Sequence, residues 1–109
     1  MQIDLDNLFN TLKTGVIGIA KKDANDYITQ AQTDGEGIIA TLKSDIQTWA
    51  QQLADGKMSK DDFEYNLLSE KDVLEMNALK EVGLAEIAVD QFKKDILGLV
   101  KDTVFALIP

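Results

Sequence analysis

The chain has 109 residues, 45% hydrophobic and 28% charged, and a formal charge of −8 from 19 acids against 11 basic residues, all lysine. That balance suits one folded domain rather than a disordered segment, and an acidic chain without a basic arm repels polyanions, so nucleic acid is not an expected partner. His, Cys and Arg are absent, which removes imidazole and thiolate metal ligands, disulfides and the usual nucleophile–base pairs; no catalytic residue, metal or cofactor is assigned, and the chain reads as a non-enzyme.

The opening Met1-Gln2-Ile3-Asp4-Leu5-Asp6 is acidic where a secretory signal is basic. No apolar run approaches the ~20 residues that span a bilayer. A cytoplasmic chain is the expectation. From there apolar residues recur at intervals of three and four, as Leu5, Leu8, Phe9, Leu12, Val16 and Ile17. The stripe continues through Ala24, Tyr27, Ile28 and Ala31 and resumes at Ile38, Leu42, Ile46, Trp49 and Leu53. This spacing predicts a helical first arm over about 4–54, with no internal proline to stop it. Its weak point is Asp34-Gly35-Glu36-Gly37, where two glycines cost roughly 2 kcal/mol against alanine, enough for a kink or short break at 34–37.

The reversal is expected at 55–59. Gly56 is placed to close the first arm in a left-handed conformation, and Ser59 with Asp62 three residues on resembles a capping box. Asp55–Phe63 also resembles the second half of an EF-hand loop, but that alignment puts Gln51 and Leu53 at the opening ligand positions and Asp62 where the bidentate Glu belongs. The segment is therefore read as a glycine-closed turn, with Gly56, Ser59 and Asp62 marking the helix reversal. The second arm runs over about 60–108, through Phe63, Leu67, Leu74, Val89, Phe92, Ile96, Val100 and Val104. Ser69-Glu70-Lys71-Asp72 reads either as a break near 69–72 with a new cap or as a polar turn of one continuous helix; both readings stay open.

Folding two such arms together puts residues whose numbers sum to about 114 opposite one another in an αα-hairpin. Phe9 then faces Phe105, Ile17 lies beside Leu97, Ile46 beside Leu68, and Trp49 meets Tyr65, closing the hairpin end as an aromatic plug with Phe63. Arms of this length would extend about 65–70 Å. Their stripes are too wide for one partner helix, and large exposed apolar patches are uncommon on soluble monomers. The predicted fold is all-α: a long antiparallel helical hairpin or four-helix bundle, completed by oligomerisation. The packing or oligomer interface is assigned to Phe9, Val16, Ile17, Leu42, Ile46, Trp49, Leu74, Phe92, Ile96, Leu97, Val100 and Phe105.

Functionally, the expected class is a non-catalytic structural or adaptor module whose partner is itself, most simply as a dimer, or another protein. Two alternatives stand beside it. One is an amphipathic binder of an apolar ligand or membrane surface, suggested by the apolar chain ends although these lack a strongly basic face. The other is an acidic decoy or inhibitor of a basic protein, suggested by charge alone. The acid clusters over 61–64, 70–75 and 81–90 are read as a solvated face.

Overall fold

Asp4 opens the first helix: its Oδ1 accepts a hydrogen bond from the Asn7 backbone N–H at 3.0 Å. Asp6 in the first turn and Lys21 and Lys22 in the last complement the helix dipole. This helix, α1, spans Leu5–Asp23. In the computed structural model, which describes residues 2–108, the chain leaves it at Ala24 (φ −144°, ψ 52°) and crosses a 3-10 turn at Asn25–Tyr27. It then enters α2, Ile28–Ala54.

The interruption expected at 34–37 therefore falls at 24–27, and α2 is continuous through both glycines. No Pro or Gly marks the real break. Asn25 and Asp26 are poor helix formers whose short side chains compete for backbone partners. Gly35 remains helical because it is a point of close approach: a Cβ there would lie 2.6 Å from Val16 Cγ1 and 3.3 Å from Phe92 Cζ. The missing side chain brings α1 and α5 onto α2 rather than ending it.

Two hydrogen bonds close α2 in a Schellman motif. The Gly56 N–H donates to the Leu53 carbonyl at 3.2 Å and the Lys57 N–H to the Gln52 carbonyl at 2.8 Å, with Gly56 at φ +74°. Ser59 Oγ then accepts from the Asp62 N–H at 3.0 Å and starts α3, Lys60–Ser69. The second arm is not one helix. A 3-10 turn at Lys71–Val73 and an extended Leu74 lead to the short α4, Asn77–Glu81. A second Schellman closure at Gly83 (φ +83°) follows, with Gly83 N–H on the Lys80 carbonyl at 3.1 Å and Leu84 N–H on the Leu79 carbonyl at 3.2 Å. The last helix, α5, is Glu86–Leu107. No strand occurs among the described residues.

Helix α1 lies against both α2 and α5 and runs antiparallel to each: Val16 meets Gly35 on one side, and Gly15 meets Leu99 on the other, within 2.6 Å of where a Cβ would stand. Helix α3 runs antiparallel to α5, with the Phe63 and Phe105 ring centroids 5.6 Å apart and Lys101 3.7 Å from Glu64. The molecule measures 43 × 24 × 19 Å with a radius of gyration of 13.8 Å, close to the ~13 Å of a compact chain this long. The extended arms do not form, because the chain folds back at 24–27 and is interrupted again at 70–76 and 82–85. The pairing of α1 with α5 keeps the expected sum of about 114 at Gly15 and Leu99, while the aromatic contacts differ from those of the hairpin. Phe105 takes Phe63 as its ring partner, Phe9 takes Lys43 over its ring at 5.3 Å, and Tyr65 is 73% exposed instead of closing a plug with Trp49.

Candidate interaction surface

Most of the buried or paired acids are engaged in holding the fold. Asp34, only 8% exposed on α2, accepts hydrogen bonds from the Ala78 and Leu79 backbone N–H groups at 3.1 and 2.8 Å. A carboxylate on one helix thereby caps another, and α4 is docked by its own N-terminal N–H groups. Asp90 binds Lys71 at 3.0 Å and Lys94 at 3.1 Å, and these hydrogen bonds hold its carboxyl below the ordinary range. Between α1 and α5, Asp23 and Asp95 share a hydrogen bond. Burial, then that bond and the charge of Asp95, push Asp23 up to about 6. Asp95 is held low by the bond from Asp23 and by Lys22 at 3.3 Å and Gln91 at 2.9 Å.

Among the described residues, no group of three or more His, Cys, Asp or Glu side chains is set to hold a metal ion. Nor is any of their helices long and apolar enough to cross a membrane.

The residues assigned from sequence to packing or oligomer contact lie mainly inside the chain. Val16, Leu42, Ile46, Leu74, Phe92, Ile96, Leu97 and Val100 are all 5% exposed or less. Phe9, Trp49 and Phe105 are half-buried against the same core, and Ile17 is half-buried on α1. The wide stripes that called for a second copy are covered by the chain's own helices. Besides the outer edges of Phe9, Ile17, Trp49 and Phe105, a contact between molecules that leaves the fold intact would draw on fully exposed apolar side chains.

Those side chains are concentrated on one segment. Large exposed apolar residues are Tyr65 (73%), Leu68 (49%), Val73 (71%) and Ile87, and the first three fall on α3 and the 3-10 turn after it. Within 61–75 the only other exposed residues are four acids, Asp61, Asp62, Asp72 and Glu75, and Ser69. Lys71, the one lysine of the stretch, is partly covered and bound to Asp90. The result is a strip in which apolar side chains alternate with uncompensated carboxylates. Phe63 and Leu67 turn inward from the opposite side of α3.

Two shallow grooves flank the strip. One, about 180 Å³, lies between α3 and α5 with Leu67, Leu97 and Gly98 among its lining and Leu68 on its wall. The other, about 420 Å³, lies between α2 and residues 73–77 and includes Gly37 and Val73. Gly98 and Gly37 are helical, yet a Cβ on either would meet nothing within 4 Å.

Tyr65 and Leu68 do not take the inward places that the hairpin register gives them beside Trp49 and Ile46, and Val73 and Ile87 lie off the apolar stripe. The usable signal was that α3 carries apolar residues on two opposite faces, which one core cannot cover together.

No protein-family model matches the chain, and no match is found among curated proteins or solved structures.

Proposed function

We propose that this chain is a non-catalytic interaction module: an up-down-up-down bundle of α1, α2, α3 and α5 that presents the 61–75 strip to a protein partner. The observation that carries this reading is that, among the described residues, three of the four large exposed apolar side chains, Tyr65, Leu68 and Val73, share one acidic segment. Several large apolar side chains exposed along one short segment mark a contact site on a soluble protein, whereas single exposed residues such as Ile87 are ordinary. The apolar-ligand alternative has less support, since the grooves of about 420 Å³ beside Val73, 430 Å³ over Gly15 and Leu99 and 270 Å³ over Phe9 and Ile39 are open surface depressions, whereas ligand pockets enclose most of what they bind.

The test is photo-crosslinking in the native cell. A crosslinker at position 65, 68 or 73 should form discrete protein adducts, and one at exposed Thr48 on α2 should not. Adducts from none of the strip positions, or the same adducts from position 48, would refute the assignment.

Self-association through this strip is a second reading, favoured by one observation: the projecting Leu68 stands beside the open floor at Gly98. A knob next to a hole can pair with its own copy about a two-fold axis. Sedimentation velocity across micromolar concentrations decides it, a dimer that dissociates on Leu68→Ser being the supporting result.

A further inference from the structure

Resting on the reading of 61–75 as a docking face, we infer that its occupant is an amphipathic helix with a basic polar face, supplied by a partner protein. Three features define that chemistry. The α3 part of the strip is short: Asp61 to Ser69 covers about 12 Å, the width of one helix laid across it, with Asp72 and Val73 following on the turn and Glu75 just after it. Its apolar side chains adjoin a groove whose floor at Gly98 has room above the backbone, so an apolar side chain of the partner can seat between α3 and α5. Its exposed charges are all negative: Asp61, Asp62, Asp72 and Glu75.

Near the same groove Lys101 pairs with Glu64 at 3.7 Å, and Asp90 is shared by Lys94 at 3.1 Å and Lys71 at 3.0 Å, so the positive charges left over are one in that trio and one at exposed Lys60, against the four carboxylates. They therefore do not reverse the sign of the face. A second copy would set four carboxylates against four, and an anionic lipid surface would be repelled. A helix with Leu-like residues at i, i+3, i+4 and i+7 and Lys or Arg between them satisfies both halves of the pattern.

Gly98 leaves the room such a side chain needs: a Cβ there would meet nothing within 4 Å, as is also true at Gly18 and Gly37, so the α5 backbone beside Leu68 is open to an occupant from outside.

The probe is a synthetic Leu/Lys peptide of about 18 residues, five helical turns, titrated into the full chain by NMR and calorimetry, with a Leu/Glu peptide of the same pattern as control. The expected result is micromolar binding of the Leu/Lys peptide, amide shifts centred on 61–75 and 94–101, and no binding of the control. Tyr65→Ser with Leu68→Ser, and separately Gly98→Gln, should each weaken binding roughly tenfold, the scale of one lost anchor. Their urea midpoints should match or exceed that of the wild type, since none of these side chains is buried.

Equal binding by both variants would mean diffuse charge attraction and would overturn the inference, as would binding of the Leu/Glu control. A strip occupied by a second copy would overturn it while leaving the interaction-module reading intact. Failure of the peptide together with absent strip adducts in cells would remove both.

Discussion

Two glycines on one helix, two residues apart, should respond to the same substitution with opposite sign. Gly35→Ala and Gly37→Ala each gain about 1 kcal/mol of helix propensity. At Gly37 nothing lies within 4 Å of the added Cβ, so most of that gain should survive. At Gly35 the Cβ would stand 2.6 Å from Val16 Cγ1 and 3.4 Å from Ile96 Cδ1. Val16 is fully buried and β-branched, with essentially one χ1 choice in a helix, so relief requires α1 to move. Overpacking of this kind costs about 1–3 kcal/mol.

The net expectation is about 0.5–1 kcal/mol of stabilisation for Gly37→Ala and about 1 kcal/mol of destabilisation for Gly35→Ala. Urea unfolding followed by circular dichroism resolves that difference, and melting should show it as a gap of roughly 8 °C. A Gly35→Ala protein as stable as Gly37→Ala would mean that α1 does not reach Gly35. The fold-back at 24–27 would then be wrong.

Asp34→Ala should destabilise the fold by about 2–3 kcal/mol, because the buried Leu79 N–H and the partly buried Ala78 N–H lose a charged acceptor; hydrogen exchange at Ala78 and Leu79 should lose protection first, and retained protection would refute the cross-helix cap. The Asp23–Asp95 pair should make stability fall with rising pH between about 4 and 6: the folded chain keeps the Asp23 proton up to about 6, whereas the unfolded chain releases it near 3.8. This contribution is whole below 3.8, lost above about 6, and worth at most about 3 kcal/mol by linkage, reduced to about 1–2 by partial solvent access. Asp95, held low, acts in the opposite sense only as pH falls below its ordinary range. Asp23→Asn, which keeps a donor for Asp95, should flatten the dependence and raise the urea midpoint at pH 7; a lower midpoint there would count against the pair.

The helical class was legible because nearly every core position obeys the three- and four-residue period, from Leu8 to Val104. Turn chemistry was legible where a glycine announced it, at Gly56. At Gly83 the Val-Gly-Leu sequence closes α4 just as Asp-Gly-Lys closes α2, but the helix before it has only five residues, too few for a period to announce its end. The turn at 24–27 left little trace, for a physical reason: Ala24 and Ile28 keep the apolar period through the corner because both pack on the core. Periodicity reports burial, and a buried corner looks like a helix. The glycines at 35 and 37 misled for the complementary reason, since low propensity can mark either a break or a close approach, and only the neighbour in space distinguishes them.

The same logic explains why the candidate surface emerged last. A stripe of apolar residues at helical spacing is spent on the fold, so the residues that satisfy the pattern best, such as Ile46 or Phe92, say least about partners. Tyr65, Val73 and Ile87 fall off the stripe, and their exposure becomes informative only after Phe63 and Leu67 have taken the inner face of α3. Charge adds the second discriminator. The chain is acidic throughout, but on α1, α2 and α5 lysines stand among the exposed acids, at Lys13, Lys43 and Lys94 for example. Over 61–75 the exposed charges are four acids and no lysine, and the exposed apolar side chains stand among them. Apolar exposure without compensating cations would be wasteful on a surface that only had to stay soluble, and it is what a basic amphipathic partner needs. Raising salt should therefore weaken such a complex by screening its rim while leaving the apolar seat in place, whereas a self-association opposed by like charges would strengthen.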